Sequence, residues 1–254
     1  MAKIHFLFGA FLLCSPSLLA AIPGHSSLEE IQKYKSGDFS KLLQKWESTP
    51  QGNRLDELLL LASNPTLPER SRYIALMGAA KLAQQPTKIQ KLQKSLESLH
   101  GDPSWVLRSA CLQVIQTLPD HSTSPKLRKL TLKALKDRAL VIRSQAVDVV
   151  VKFQSPEVTD ALIDAALAKE NHHGGKALWV PQKALRAIAQ LSAPLDSSRA
   201  WQLTALLAQK QDQELSTLTL LALEKLLPNE ASEMKRRTKG SLSQAWIEAS
   251  RKHL

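Results

Sequence analysis

The feature that most constrains this chain is an apolar helical pattern that returns after about 35 residues. Within residues 105–118 the apolar positions form one broad stripe along a helix, and the same spacing starts again at residue 142. The stripe positions are Leu107, Cys111, Val114, Ile115 and Leu118 in the first copy, and Ile142, Ala146, Val149, Val150 and Phe153 in the second. An amphipathic helix that recurs at this period is typical of a stacked helical-repeat protein.

Five units with this pattern are predicted, and in each the second helix of a helical hairpin carries the stripe. Their approximate bounds are 54–85, 86–120, 125–155, 156–192 and 196–227. Leu and Ala dominate the composition, aromatic residues make up only 5%, and strand signals are nearly absent, so a sheet is disfavoured. The predicted fold class is therefore all-α, an α-solenoid of about five hairpins.

Both ends of the array are predicted to be atypical, because stacked repeats need terminal caps with a polar outer face. Residues 22–53 are expected to form an N-terminal helical cap. Residues 228–254 are expected to form a basic linker and a C-terminal capping helix that begins after Ser241.

Residues 1–21 have the form of a cleaved secretory signal peptide. Lys3 precedes a short apolar run, and small residues lead to Ala20 and Ala21. The run is short for a stable membrane span, so the protein is expected to be exported, either to the periplasm or out of the cell. Two alternatives are weaker. Lipidation of Cys14 is disfavoured because Leu13 stands where a small residue is needed, and the segment could also be retained as an uncleaved anchor.

No catalytic motif is found in the sequence. It contains no Gly-rich phosphate loop, no His-Glu-x-x-His and no Gly-x-Ser-x-Gly. Cys111 lies on the apolar stripe and is interpreted as a core residue. The adjacent pair His172 and His173 could ligate a metal, but no third ligand lies nearby in the sequence, so a flexible polar linker is favoured. We therefore expect no enzyme activity, no metal and no cofactor.

The segment Asp102-Pro103-Ser104-Trp105-Val106-Leu107-Arg108 resembles the HEAT-repeat family, including its short bacterial, phycobilin-lyase-like form. The resemblance covers about residues 54–227 and implies a right-handed α-solenoid. It also implies a structural ladder of ion pairs between neighbouring repeats. The ladder residues are Arg72, Asp102, Arg108, Asp137 and Arg143. Pro181 and Ser216 occupy the arginine position in the last two units, so the ladder is expected to stop before them.

Two groups of residues are candidates for partner binding. Trp105 and Trp179 each lie at the turn into a second helix. An aromatic side chain there is either a recognition anchor or a cover for the end of the core, and the cover is favoured. The second group is the densest basic run of the chain: Lys235, Arg236, Arg237 and Lys239. Such a run binds an acidic partner, anionic lipid or nucleic acid, or is simply a solvated loop.

These observations predict an exported, non-enzymatic scaffold that binds a partner protein, without indicating which one. Two alternatives remain open. The net charge of +11 and a similarity to HEAT-like DNA glycosylases favour a nucleic-acid-binding protein. The repeat alone favours a phycobilin-lyase-like enzyme. The signal peptide argues against both alternatives.

Overall fold

The computed structural model describes residues 27–34, 39–48, 53–118, 124–153, 155–174, 176–191, 199–208, 212–238 and 240–254. The predicted signal peptide, the first residues of the predicted N-terminal cap and Lys239 lie outside these ranges. The described chain is almost entirely helical, which confirms the all-α prediction. Its α-helices are α1 (Ser27–Lys33), α2 (Phe39–Ser48), α3 (Arg54–Ser63), α4 (Glu69–Leu82), α5 (Pro86–Leu99), α6 (Trp105–Thr117), α7 (Pro125–Ala134), α8 (Leu140–Val150), α9 (Pro156–Leu167), α10 (Trp179–Ala189), α11 (Thr204–Leu207), α12 (Gln213–Leu226), α13 (Pro228–Arg237) and α14 (Leu242–Ser250).

The helices pack in sequential pairs. Contacts join α3 to α4, α5 to α6, α7 to α8, α9 to α10 and α11 to α12. The second helices also contact one another in chain order, from α4 through α6, α8 and α10 to α12. Among the first helices, α3 contacts α5 and α5 contacts α7.

The core follows the apolar stripe that the sequence predicts. On α6, Leu107, Val114 and Ile115 have no exposed surface, and the α8 equivalents Ile142 and Val149 are equally buried. Cys111 is also buried as expected, and this burial raises the pKa of its thiol to about 12.

The glycine in the α4 stripe makes room for a tryptophan from the N-terminal cap. The Trp46 ring is almost fully buried, and a β-carbon on Gly78 would overlap it. The indole N–H of Trp46 donates to Glu30, whose carboxylate also accepts from Arg54 Nη1 at 2.9 Å and lies 2.9 Å from Lys45 Nζ. Burial alone would raise the pKa of Glu30, but these bonds outweigh it and hold the pKa below its usual value.

Three expectations about irregular segments need correction. The segment 228–237, predicted as a basic linker, is helix α13, because Pro228 starts it and Ala231 and Met234 face the core. The expected linker around His172 and His173 holds a short 3₁₀ helix, Lys169–Asn171, followed by a two-stranded antiparallel hairpin, His172–His173 with Lys176–Ala177. The first helix of the fifth unit is split into a 3₁₀ helix, Ala200–Leu203, and the single turn α11.

The C-terminal helix α14 covers α11. Its Trp246 is almost fully buried, with its ring centroid 5.4 Å from that of Trp201. The ring of His253 stacks on Trp201 at 4.1 Å. Within the described ranges, no helix has the length and apolar character needed to cross a membrane.

Candidate partner-binding site

Buried arginines connect consecutive helix pairs. Arg72, Arg108 and Arg143 are each the fourth residue of a second helix, in α4, α6 and α8, and each is at most 6% exposed. Arg72 pairs with Asp102, which precedes the next second helix. Arg108 donates from Nε and Nη2 to the two carboxylate oxygens of Asp137, at 2.7 and 2.9 Å. Such two-point pairs fix geometry as well as charge.

Two of these arginines, Arg108 and Arg143, also hold the turn before their own helix. Arg108 Nη1 donates to the carbonyl oxygens of Asp102 and Pro103, at 2.7 and 3.0 Å. Arg143 Nη1 does the same to Asp137 and Arg138, at 2.7 and 3.3 Å. The backbone amides of the turns are also satisfied, because those of Ser104 and Ala139 donate to the aspartates two residues before them, at 2.9 and 2.7 Å. The starts of α6 and α8 are therefore held firmly.

The charge state of Asp137 reflects this environment. Burial alone would raise its pKa, but the hydrogen bonds from Arg108 and from the backbone amide of Ala139 outweigh that effect. The pKa of Asp137 is consequently lower than its ordinary value, and the carboxylate stays ionised at neutral pH.

The partner of Arg143 is an asparagine, which the sequence interpretation placed in a linker. Arg143 Nε donates to Asn171 Oδ1 at 2.7 Å, and Arg143 Nη2 donates to the carbonyl of Glu170 at 3.2 Å. Asn171 is fully buried, and its amide donates to the carbonyl of Ala165 at 2.8 Å. A signal was present, because Asn171 follows Asp137 by nearly the same interval that separates Asp137 from Asp102.

Exposed apolar side chains lie at the starts of three successive second helices. Trp105 is the first residue of α6, Val141 the second of α8 and Trp179 the first of α10, and they are 52%, 44% and 67% exposed. We call these three residues the apolar row. Because neighbouring helix axes lie about 8–10 Å apart, the row extends roughly 20 Å across three adjacent helices. The other large apolar side chains exposed in the described ranges lie on other elements: Leu60, Leu221 and Leu254.

The exposure of the two indoles differs from that of the tryptophans that close the ends of the core. A tryptophan that closes the end of a core is buried, as Trp46 and Trp246 are at 1% exposure. Trp105 and Trp179 instead leave half or more of their surface open to solvent. Val141, which takes the place of Trp105 in the next unit of the sequence pattern, is 44% exposed.

The basic run near the C-terminus lies on a different element. Lys235 and Arg236 belong to α13, which contacts α12 and α14 rather than the helices of the apolar row. Lys235 is paired with Glu224 of α12, and Arg236 is exposed. The side chain of Arg237 and the whole of Lys239 lie outside the described residues.

The histidine pair shows no metal-binding arrangement. Nε2 of His172 forms a hydrogen bond with the carbonyl of Ala166 at 2.9 Å, and His173 lies beside Lys176 in the hairpin. Across the part of the chain that the structure describes, no three His, Cys, Asp or Glu side chains are grouped as metal ligands.

No known protein family matches this chain, and no curated protein matches it. The interpretation of the site therefore depends on its geometry.

Proposed function

We propose that this protein is an exported, non-enzymatic scaffold that binds a partner protein along the apolar row. The observation that carries the proposal is the exposure of Trp105, Val141 and Trp179 at the starts of three consecutive second helices. Tryptophan is enriched among the residues that dominate binding energy at protein interfaces. A row of about 20 Å suits a helix or an extended segment of a partner.

The proposed architecture is a right-handed α-solenoid of about five HEAT-like hairpins. The chain-order contacts between the second helices support it, because each unit of such an array packs only on its neighbours. The recurrence of Arg72, Arg108 and Arg143 at one helical position also supports it.

The proposed export depends on residues 1–21 alone. The test is to determine the N-terminus of the protein purified from a fractionated cell. A mature chain that begins near Ile22 in the periplasm or the medium supports export, whereas an intact Met1 in the cytosol contradicts it.

The binding proposal is tested in two stages. First, a photo-crosslinking amino acid placed at Val141 identifies the partner by mass spectrometry, with the same amino acid at Leu221 as the control for an exposed apolar position off the row. Second, the affinity of the identified partner is measured for the double variant Trp105→Ala/Trp179→Ala. We expect binding to weaken by at least about 30-fold, because truncating an anchoring indole costs about 2 kcal/mol or more.

The control for the second stage is Leu60→Ala/Leu221→Ala, which removes the same number of exposed apolar side chains outside the row. Equal binding by the row variant and the wild type would overturn the proposal. The nucleic-acid alternative is distinguished by salt: phosphate contacts weaken steeply as ionic strength rises, whereas apolar contacts do not.

A further inference from the structure

A cavity opens beside the apolar row, between the turns that precede α6 and α8. Its volume is about 470 Å³. Its walls include a histidine and four cationic side chains: His100, Arg108, Lys133, Lys136 and Arg138. Pro103 lines the cavity two residues before Trp105, and Arg138 lines it three residues before Val141. Three residues of extended chain span at most about 11 Å, so both lining residues are within that distance of the apolar row. We call it the basic pocket.

The two carboxylates that line the basic pocket are already compensated. Asp102 is held by Arg72, and Asp137 is held by both Nε and Nη2 of Arg108. Each also accepts a backbone N–H from its own turn, that of Ser104 or of Ala139. Little of their acceptor capacity is left for the remaining cations of the pocket.

Lys133 and Lys136 are the uncommitted cations. Both are exposed near the end of α7, and within the described ranges neither ammonium has a carboxylate partner within 4 Å. They also line a second cavity with Glu157, Asp160 and Asp164 of α9, and two of these carboxylates have a cationic partner of their own. Glu157 lies 3.4 Å from Arg128 Nε, and Asp164 binds Arg199 at 2.5 Å. Neither lysine is therefore held in an ion pair by a described residue where it lines the basic pocket.

His100 is a buried polar group that lines the same pocket as the two lysines. Its side chain lines the pocket although the residue is only 6% exposed, and no described residue forms a hydrogen bond with its ring. Burial lowers the pKa of His100, and the positive charges of Lys133 and Arg108 lower it further. The negative charge of Asp137 raises the pKa, but the net shift is downward. The neutral imidazole retains one N–H, which can donate a hydrogen bond to an entering anion.

We propose that the basic pocket binds a carboxylate side chain of the partner protein, with Lys133 and Lys136 as counter-charges and His100 as a hydrogen-bond donor. This inference rests on the proposed function, because neighbouring apolar residues of the same partner segment would pack on Trp105 and Val141. The partner segment is therefore one that places Asp or Glu within a few residues of apolar side chains. A carboxylate fits better than a phosphate dianion, since the lining already includes the carboxylates of Asp102 and Asp137.

The test uses the full chain and hexaglutamate as the probe. The imidazole signal of His100 is followed by NMR and assigned with the variant His100→Gln. We expect hexaglutamate to shift this signal saturably. We expect Lys133→Gln/Lys136→Gln to weaken the binding by roughly tenfold or more, because it removes both uncommitted charges. The matched control Lys94→Gln/Lys129→Gln makes the same change in net charge at exposed lysines that do not line the pocket.

Several outcomes decide the inference. No shift of His100, or an equal loss of binding in both lysine pairs, would overturn it. Inorganic phosphate that shifts His100 and competes at equal ionic strength would mark a general anion site and would also overturn the assignment to a carboxylate. The proposed function fails separately, if Trp105→Ala/Trp179→Ala keeps its partner while hexaglutamate still binds the pocket.

Discussion

The units around α4, α6 and α8 are joined in a different way from those around α10 and α12. In the first region a buried arginine reaches from each second helix to the turn of the next unit, as Arg108 does to Asp137. In the second region Pro181 and Ser216 replace the arginine, and the contact between α10 and α12 depends on buried apolar faces. The ion pair there, Arg186 with Glu214, is about half exposed on both sides.

The difference shows that side chains between helices do two things: some drive the helices together, and others fix their relative position. Apolar burial supplies most of the driving force, but it is non-directional and tolerates small shifts. A buried, two-point hydrogen-bonded pair adds little net stability, yet it is costly to break and therefore fixes position. The directional pairs occur where the turns that position Trp105, Val141 and the basic pocket must be held.

The largest expected effect comes from breaking a charged connection. Asp137→Ala leaves the Arg108 guanidinium buried without its counter-charge, and we expect the free energy of unfolding to fall by about 3–5 kcal/mol. Urea denaturation followed by circular dichroism measures this. A loss below about 1 kcal/mol would show that the pair is not coupled to folding.

A smaller loss of unfolding free energy is expected at the connection between Arg143 and Asn171, because one partner there is neutral. Asn171→Ala removes the acceptor for Arg143 Nε and the donor for the Ala165 carbonyl. We expect a cost of about 1–3 kcal/mol, because buried hydrogen-bonding groups are left unsatisfied. Comparison with Asp137→Ala under the same denaturation conditions shows whether the carboxylate matters beyond its hydrogen bonds; equal losses would mean that it does not.

Acid should weaken the same connection by protonation. The pKa of Asp137 is lower in the folded protein than in the unfolded chain, so its contribution is present above the unfolded value of about 4 and is lost as pH falls through the folded value. Between pH 7 and pH 3, Asp137→Asn should therefore lose less stability than the wild type. Glu30, which has a lowered pKa in both proteins, cancels in this comparison. Parallel pH profiles would contradict the expectation.

The smallest change in the free energy of unfolding is expected in the C-terminal region. Glu214→Ala removes the partner of Arg186, but both side chains are about half exposed, so solvent screens the pair. We expect a change below about 0.5 kcal/mol in the same urea measurement. A cost comparable to that of Asp137→Ala would remove the distinction between the two regions.

The regular part of the fold was predictable because one periodic signal was repeated. The α6 stripe and its α8 copy each placed buried residues correctly, since a helix with a broad apolar face has few other ways to bury it. Helix α13 was missed because its many polar residues conceal a short apolar face formed by Ala231 and Met234.

The candidate site was less predictable than the fold. The sequence identified Trp105 and Trp179 as candidates because they are aromatic residues at helix starts. Their exposure depends on how neighbouring turns pack, and no local sequence pattern encodes that packing. Asn171 was missed because a polar residue beside two histidines and two glycines resembles a linker. Its burial becomes evident only when the spacing from Asp137 is combined with the need of Arg143 for an acceptor.

The buried Cys111 gives the folded chain an internal reporter of its own motions. With a pKa of about 12 and almost no exposed surface, the thiol offers essentially no thiolate to an alkylating reagent at neutral pH while α6 is packed. Its labelling rate, in a chain whose Cys14 has been removed or replaced, therefore measures how often α6 opens locally. Labelling faster than global unfolding would show that α6 opens without unfolding of the whole protein.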